Sequence, residues 1–281
     1  MKYQVISSDN YGAAGIKTMF FPGGEPHCHI DLKDQKSPIL LDLRLRTWND
    51  VGLAWCVMDA LDRLRLHAKV FCPYYPGARQ DHPILGTPAT LLLMDQLVGV
   101  TDHGYIGPVH VFDVHNPAEF LGVKNWMPAD LDIPIKDDVV GIIAPDHGAI
   151  DRATAFRDKF YPKAGRYIGT KVREQETGKI KSFTLPMLPA GPGRYIIVDD
   201  ICDGGWTFNM LAQQFAEYYG TKYHLELFVS HGIFSKGLIN LHPRIEHITT
   251  TDSFLWTNSR SGPRLTIVPL SPLYDRIMEV K

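Results

Sequence analysis

Five short segments of this chain are apolar almost end to end, and they recur at intervals that leave room for a helix between them. They are "AKVFCPYY" (residues 68–75), "HVFDVH" (110–115), "VVGIIAPD" (139–146), "RYIIVDD" (194–200) and "HLELFVS" (224–230). Alternating polar and apolar residues would suit a sheet wet on one face. Unbroken β-branched and aromatic runs suit strands buried on both faces, as in a parallel sheet covered by helices.

The intervening segments carry the matching helical stripes. Ala54, Met58, Leu61 and Leu64 step by three and four within residues 49–66. Thr87 and Pro88 read as cap and first-turn residue of a second helix containing Leu91, Met94 and Leu97. Ile150, Ala153, Phe156 and Phe160 mark a third, stopped by Pro162. Phe208, Leu211, Ala212 and Phe215 mark a fourth, with Gly220 at its C-terminal stop. Strands alternating with helices predict an α/β fold of βαβ units on parallel sheets.

The first 45 residues read differently, as antiparallel strands with a Pro-Gly-Gly bend in "FFPGGEPH". The polar, proline-interrupted "DLDIPIKDD" (130–138) separates two strand–helix sets. Two parallel-sheet domains are expected, residues 1–138 and 139–281, meeting across a cleft. The last helix is free to pack back on the first domain. Ligands are expected outside the carboxyl ends of the strands.

Composition narrows the function classes. With 44% hydrophobic and 21% charged residues the chain reads as an ordinary soluble domain pair. A formal charge of −2 gives no electrostatic case for nucleic acid or an anionic membrane. No signal peptide or bilayer-length apolar run is read, and Cys28, Cys56, Cys72 and Cys202 form no CxxC pair, which predicts a cytoplasmic protein with reduced thiols. His27 and His29 of "HCH" would share one face of a strand, but no partner motif supports zinc there.

The chemistry concentrates in "YIIVDDICDGGWTF" (195–208). With the strand read as ending at Val198, Asp199 and Asp200 stand at the sheet's carboxyl edge, their side chains expected on opposite faces. Gly204 and Gly205 then turn into a helix, whose first N–H groups can cradle a phosphate. The carboxylates cannot bind phosphate, but they can accept hydrogen bonds from sugar hydroxyls or hold Mg2+ through water. Acids beside a phosphate cradle suggest a phosphorylated sugar.

"VDDICDGGWTF" resembles the 5-phosphoribosyl-1-diphosphate (PRPP) loop of type I phosphoribosyltransferases and PRPP synthetases, giving Asp199, Asp200, Asp203, Gly204, Gly205, Trp206 and Thr207 as the ribose and 5-phosphate contacts. "CPYYPGARQDH" resembles the synthetases' ATP motif through Pro73, Tyr74, Ala78, Arg79, Gln80 and Asp81. "FFPGGEPH" resembles their Phe-x-Asp-Gly-Glu hairpin, retaining Phe21, Gly24 and Glu25. "DVH" places His115 as a phosphate or magnesium contact, "APDHGAIDRA" gives Asp146 and Arg152, and "TKVRE" matches the catalytic Lys-x-Arg as Lys171 and Arg173. "TTDS" (250–253) also has a counterpart, and the motifs occur in family order over roughly residues 20 to 255.

The resemblance implies a ribose-phosphate diphosphokinase. It would transfer the β,γ-diphosphate of ATP to the 1-hydroxyl of ribose 5-phosphate, with release of AMP. Phe21, Gly24, Glu25, Arg79, Gln80 and His115 would bind ATP. His115 and Asp146 would hold Mg2+, and Lys171 and Arg173 would close on the transferring phosphoryl oxygens. The polar stretch "EQETGKIKS" after them suits a mobile flap. Family members form the nucleotide pocket between subunits, which implies a homo-oligomer, a dimer or hexamer.

Three departures stand out. Gly23 takes the place of an Asp or Asn, and His82 and Pro83 replace basic residues. In the PRPP loop Gly204 replaces threonine and Trp206 replaces a glycine. One alternative is therefore the same transfer to a larger 5′-substituted ribose such as ADP-ribose, with Trp206 stacking on its base. A PRPP-consuming phosphoribosyltransferase and an inactive regulatory subunit are further alternatives. The first gives "ARQD" no role, and the second would be expected to have lost catalytic groups that remain here.

Overall fold

The computed structural model describes residues 3–31, 38–81, 104, 106–117, 123–173, 180–185, 187–188, 192–254 and 261–280. The helix expected after Thr87 and the departures at His82 and Pro83 lie outside the described residues.

The chain forms two compact units, residues 1–127 with 270–281, and residues 128–269. The first is built on a parallel sheet ordered β1 (Gln4–Ser7), β4 (Ile39–Asp42), β5 (Ala68–Cys72), β6 (Ile106–Phe112) and β7 (Lys124–Trp126). The first 45 residues, expected as antiparallel strands, pair that way only in a short hairpin, β2 (Ile16–Phe20) with β3 (Pro26–Ile30), whereas β1 joins the main sheet parallel to β4. β4 is buried at all four positions, which is what a strand with neighbours on both sides and cover on both faces requires.

Helix α1 (Trp48–Arg63) starts at a capping box. The Thr47 hydroxyl accepts from Asp50 N, and the Asp50 carboxylate accepts from Thr47 N. Val51, Ala54, Val57, Met58 and Leu61 face the core. Leu64, expected in that stripe, is the C-cap and is exposed, because the helix stops one residue before it.

The second unit is a six-stranded parallel sheet ordered β15 (Leu265–Val268), β14 (Ile245–Thr251), β13 (Tyr223–Gly232), β12 (Gly193–Cys202), β8 (Val139–Ala144) and β9 (Gly165–Ile168). Helix α2 (Ile150–Phe160) connects β8 to β9, and α3 (Trp206–Tyr218) connects β12 to β13. Phe208, Leu211, Ala212 and Phe215 of α3 pack with Tyr195, Ile197, Leu227 and Val229 of the sheet. Phe156 of α2 packs on Phe228, ring centroids 4.6 Å apart. The sheet order places β8 between β9 and β12, so the chain reverses its direction of travel between β8 and β12. Strand ends at such a switch point leave a crevice where ligands bind. A separate antiparallel pair, β10 (Thr170–Arg173) and β11 (Ile180–Thr184), follows β9.

Helix α4 (Leu273–Glu279) belongs to the first unit. Lys69 Nζ on β5 donates to its last carbonyls, Ile277 O at 3.0 Å and Met278 O at 2.9 Å, and also to Val280 O. A cation capping a helix C-terminus satisfies orphan carbonyls and matches the helix dipole.

One buried histidine of the first sheet makes the fold sensitive to acid. His110 on β6 is fully buried, and its Nδ1 accepts a hydrogen bond from Trp126 Nε1 at 3.1 Å. Burial, then Lys69 and Lys124, push its pKa down to about 4. The neutral form is thus favoured on folding, so its contribution is complete above the unfolded value of about 6.5 and is lost as pH falls toward 4. Urea unfolding at pH 7, 5.5 and 4.5 should show a loss of up to about 3 kcal/mol from this group. His110→Phe should flatten that part of the slope.

Candidate functional site

Asp199 and Asp200 lie inside β12, not beyond it. The strand runs to Cys202, four residues past its expected end at Val198. Its pairing explains why they are nevertheless accessible. On one side β12 pairs with β13 through Asp199 opposite Val229, Ile201 opposite His231 and Cys202 opposite Gly232. On the other side pairing with β8 stops at Ile197 opposite Ile143. The carboxylates therefore sit where β12 has outrun β8, at the switch point of the sheet.

They are also closer electrostatically than strand alternation suggests. One guanidinium, Arg152 of α2, lies 4.0 Å from Asp199 Oδ1 and 3.6 Å from Asp200 Oδ2. Arg152 and Asp200 are buried, while the Asp199 side chain is 19% exposed. Burial first, then the neighbouring Asp200 carboxylate, hold Asp199 well above the ordinary carboxylate range, with Arg152 pulling the other way. Asp146 adds repulsion from the end of β8, where its Oδ1 caps a short 3-10 turn by accepting from Gly148 N at 3.0 Å. Asp146, Asp199 and Asp200 are thus brought into one electrostatic neighbourhood. Hard oxygen donors in a place that disfavours bare anions fit a magnesium ion, which needs one or two protein carboxylates and keeps its waters. Among the described residues no three His, Cys, Asp or Glu side chains form a metal cage.

The glycine turn is set by sterics. Gly205, the N-cap of α3, has φ 77°, and a Cβ there would stand 2.4 Å from Leu241 Cδ2. No side chain caps α3, so its first N–H groups remain available to an anion. Gly204 is different: a Cβ would meet the Lys236 stem at ordinary contact distance, Cε at 3.7 Å and Cδ at 3.8 Å. Trp206 opens the helix and points outward, 63% exposed, which resolves how an indole can follow so tight a turn. Asp203 and Thr207 are half-buried on either side.

Lys171 and Arg173 fall on β10, opposite Phe183 and Ile180, with a register irregularity between Val172 and Arg173. Their side chains, and residues 174–179 of the expected flap, lie outside the described part of the structure. "TTDS" ends β14, where Thr251 Oγ1 and Ser253 Oγ both donate to Ser230 O, and His231 Nδ1 lies 2.7 Å from Ser253 Oγ. These residues bind the ends of β13 and β14 together.

In the first unit, the segment after β5 turns through Gln80 N to Gly77 O, anchored by buried Tyr75 and Ala78, and leaves Arg79 and Gln80 exposed. Asn116, next to exposed His115, donates to Asp81 Oδ2 at 3.1 Å, so the "ARQD" and "DVH" segments are held side by side. At the hairpin tip Gly24, at φ 94°, forms the turn; Phe21 is 45% exposed, its ring centroid 5.5 Å from that of His27. Glu25 folds back over Gly23, where a Cβ would meet its Oε2 at 2.9 Å. His27 and His29 do share the exposed face of β3, as expected.

Two residues at this site are not marked as such in the sequence: Arg152 as counter-charge to both aspartates, and Lys236 beside Gly204. The first had a signal in its motif. The second had none, because it depends on two loops meeting.

No protein-family model matches the chain. The ribose-phosphate pyrophosphokinase of Pyrococcus abyssi is 28% identical over 235 residues, 78% of this chain and 76% of its own. That of Pyrococcus furiosus is 26% identical over 249 residues, 83% and 84% of the two chains. That of Maricaulis maris is 27% identical, covering 90% of this chain and 84% of its own. The crystal structure of a phosphoribosylpyrophosphate synthetase from Mycobacterium smegmatis superposes with a TM-score of 0.75 at 17% identity, over 99% of this chain and 98% of that one, a likeness of fold.

Two variants test this geometry. Arg152→Met removes the guanidinium shared by two adjacent carboxylates and should destabilise the protein by about 3–5 kcal/mol. The loss should be smaller at pH 5 than at pH 8, since protonation of Asp199 relieves the repulsion. Gly205→Ala should cost about 1–3 kcal/mol through clash and strain. Gly204→Ala should be near neutral in the same thermal-melt series.

Proposed function

We propose that this chain, which is similar over most of its length to ribose-phosphate pyrophosphokinases, is itself a ribose-phosphate diphosphokinase. It transfers the β,γ-diphosphate of ATP to the anomeric hydroxyl of a ribose 5-phosphate-type acceptor and releases AMP. The observation that carries this reading is the end of β12. Two carboxylates at the switch point lead straight into a glycine turn and an uncapped helix N-terminus.

The roles follow from charge and reach. Asp199 and Asp200 accept hydrogen bonds from the ribose hydroxyls. The turn from Asp203 to Thr207 holds the 5-phosphate through backbone N–H groups, with the Thr207 hydroxyl beside them. Arg79 and Gln80 bind the nucleotide, joined by Phe21, Gly24 and Glu25 of the hairpin. His115 and Asp146 are the proposed protein contacts to Mg2+. When bound, magnesium neutralises charge on the triphosphate oxygens. The anomeric oxygen forms a bond to the β-phosphorus, the bond from that phosphorus to the bridging oxygen breaks, and AMP departs with the bridging oxygen. The hydroxyl proton passes to solvent. Lys171 and Arg173 stabilise the charge that builds on the phosphoryl oxygens. The hairpin exposes Met19, Phe20 and Phe21 together, which supports a homo-oligomer in which this face is covered. No helix among the described residues is long and apolar enough to cross a membrane.

Release of AMP from ATP that depends on a ribose acceptor and Mg2+ tests the reading. Lys171→Ala should lower kcat by about 10²–10³-fold, corresponding to about 3–4 kcal/mol, with ATP affinity nearly intact. Near wild-type turnover in the purified variant would remove Lys171 from the mechanism.

A further inference from the structure

Two side chains stand beside the glycine turn whose backbone N–H groups form the proposed 5-phosphate cradle. Trp206 stands 63% exposed at the first position of α3, next to a turn whose own geometry is fixed by Gly205. Its indole is one of the larger apolar surfaces left open on the second unit. Lys236 is the other. It lies on the loop after β13, and its stem runs past Gly204, with Cε 3.7 Å and Cδ 3.8 Å from the place a Cβ at 204 would occupy. Gly204 does not have a left-handed φ, so neither backbone nor packing demands a glycine there. What its missing side chain leaves is room, and that room is bordered by a lysine.

The lysine's backbone is held in place. Phe234 N donates to Cys202 O at 2.9 Å, which ties the loop after β13 to the end of β12. Asn209 of α3 donates through Nδ2 to Asn240 O and accepts at Oδ1 from His242 N, both at 2.8 Å. The Asn240 amide donates in turn to Lys236 O. Phosphate turn, helix start and lysine loop form one hydrogen-bonded assembly. Among the described residues no hydrogen bond or ion pair engages the Lys236 ammonium.

We propose that Trp206 and Lys236 determine acceptor specificity, extending the site beyond the 5-phosphate to take a ribose whose 5-phosphate is joined to a second phosphate and a nucleoside. This rests on the diphosphotransferase reading and deepens it. A phosphomonoester is matched by a closed ring of donors. A diphosphate bridge carries its charge over a longer span and needs an opening with a cation at its side, which Gly204 and Lys236 provide. Beyond the bridge comes a base, and an exposed indole offers it a stacking face that tolerates any base. The transfer is unchanged: the anomeric oxygen of the terminal ribose bonds to the β-phosphorus of ATP, the bridging bond breaks, and AMP leaves.

The test uses the full chain with ATP and Mg2+, and ADP-ribose or ribose 5-phosphate as acceptor, reading AMP release. ADP-ribose should be turned over with a kcat/KM at least equal to that of ribose 5-phosphate. In Trp206→Leu and in Lys236→Ser the ratio of the two values should fall at least tenfold. Both side chains are exposed, so the variants should melt with the wild type. Independently, and without ATP, ADP-ribose should quench tryptophan fluorescence in the wild type and not in Trp206→Leu. Turnover of ribose 5-phosphate alone, or a ratio unmoved by both substitutions, would overturn the proposal. If neither acceptor releases AMP, the diphosphotransferase reading itself fails. The quench then still decides the subsite, and its absence overturns it.

Discussion

A single guanidinium, that of Arg152, sits against two adjacent carboxylates at the end of a central strand. β12 is apolar through Val198, with Tyr195, Ile197 and Val198 fully buried. Carrying such a strand on into two aspartates costs desolvation and mutual repulsion, which the raised pKa of Asp199 records. The fold accepts this because α2 brings Arg152 across from the neighbouring βαβ unit, and because β8 stops short and leaves one side of the strand open. Buried charges are tolerated when paired, and here one guanidinium lies against two carboxylates. What remains is a place that favours an added cation or hydroxyl donors.

The glycine turn next to it divides its labour by residue. Gly205 is required by φ and by Leu241, so the turn cannot vary there without strain. Gly204 and Trp206 are under no such demand, and they are the positions at which the chain departs from the pattern it resembles. Rigid backbone with variable side chains is the arrangement by which one scaffold can keep its chemistry while changing what it accepts. The loop carrying Lys236 is fastened to the same turn, so a change at one position is felt at the other.

On the first unit the "ARQD" and "DVH" segments occupy turns that follow strand ends. Arg79 and Gln80 are held out to solvent by the buried Tyr75 and Ala78, and the Asp81–Asn116 bond aligns two segments far apart in sequence. At the hairpin the missing side chain at Gly23 is answered by Glu25, which turns back into the space.

The alternation of buried strands with amphipathic helices, and with it the parallel α/β class, was legible in the chain because continuous apolar runs and 3.6-residue stripes follow from burial on two faces and on one. Motif spacing likewise carried the acids, the glycine turn and the "ARQD" and "DVH" segments, since each is a local strand-end pattern. The parallel pairing of β1 was not legible, because a four-residue strand carries no mark of its partner. Nor was the true end of β12, which depends on β13 continuing alongside it. That Arg152 lies against both aspartates, that Lys236 borders Gly204, and that Trp206 faces outward were settled only by tertiary structure. Local sequence fixes the backbone conformations a segment prefers, while the pairing of charges and the filling of space depend on which distant segment arrives next to it.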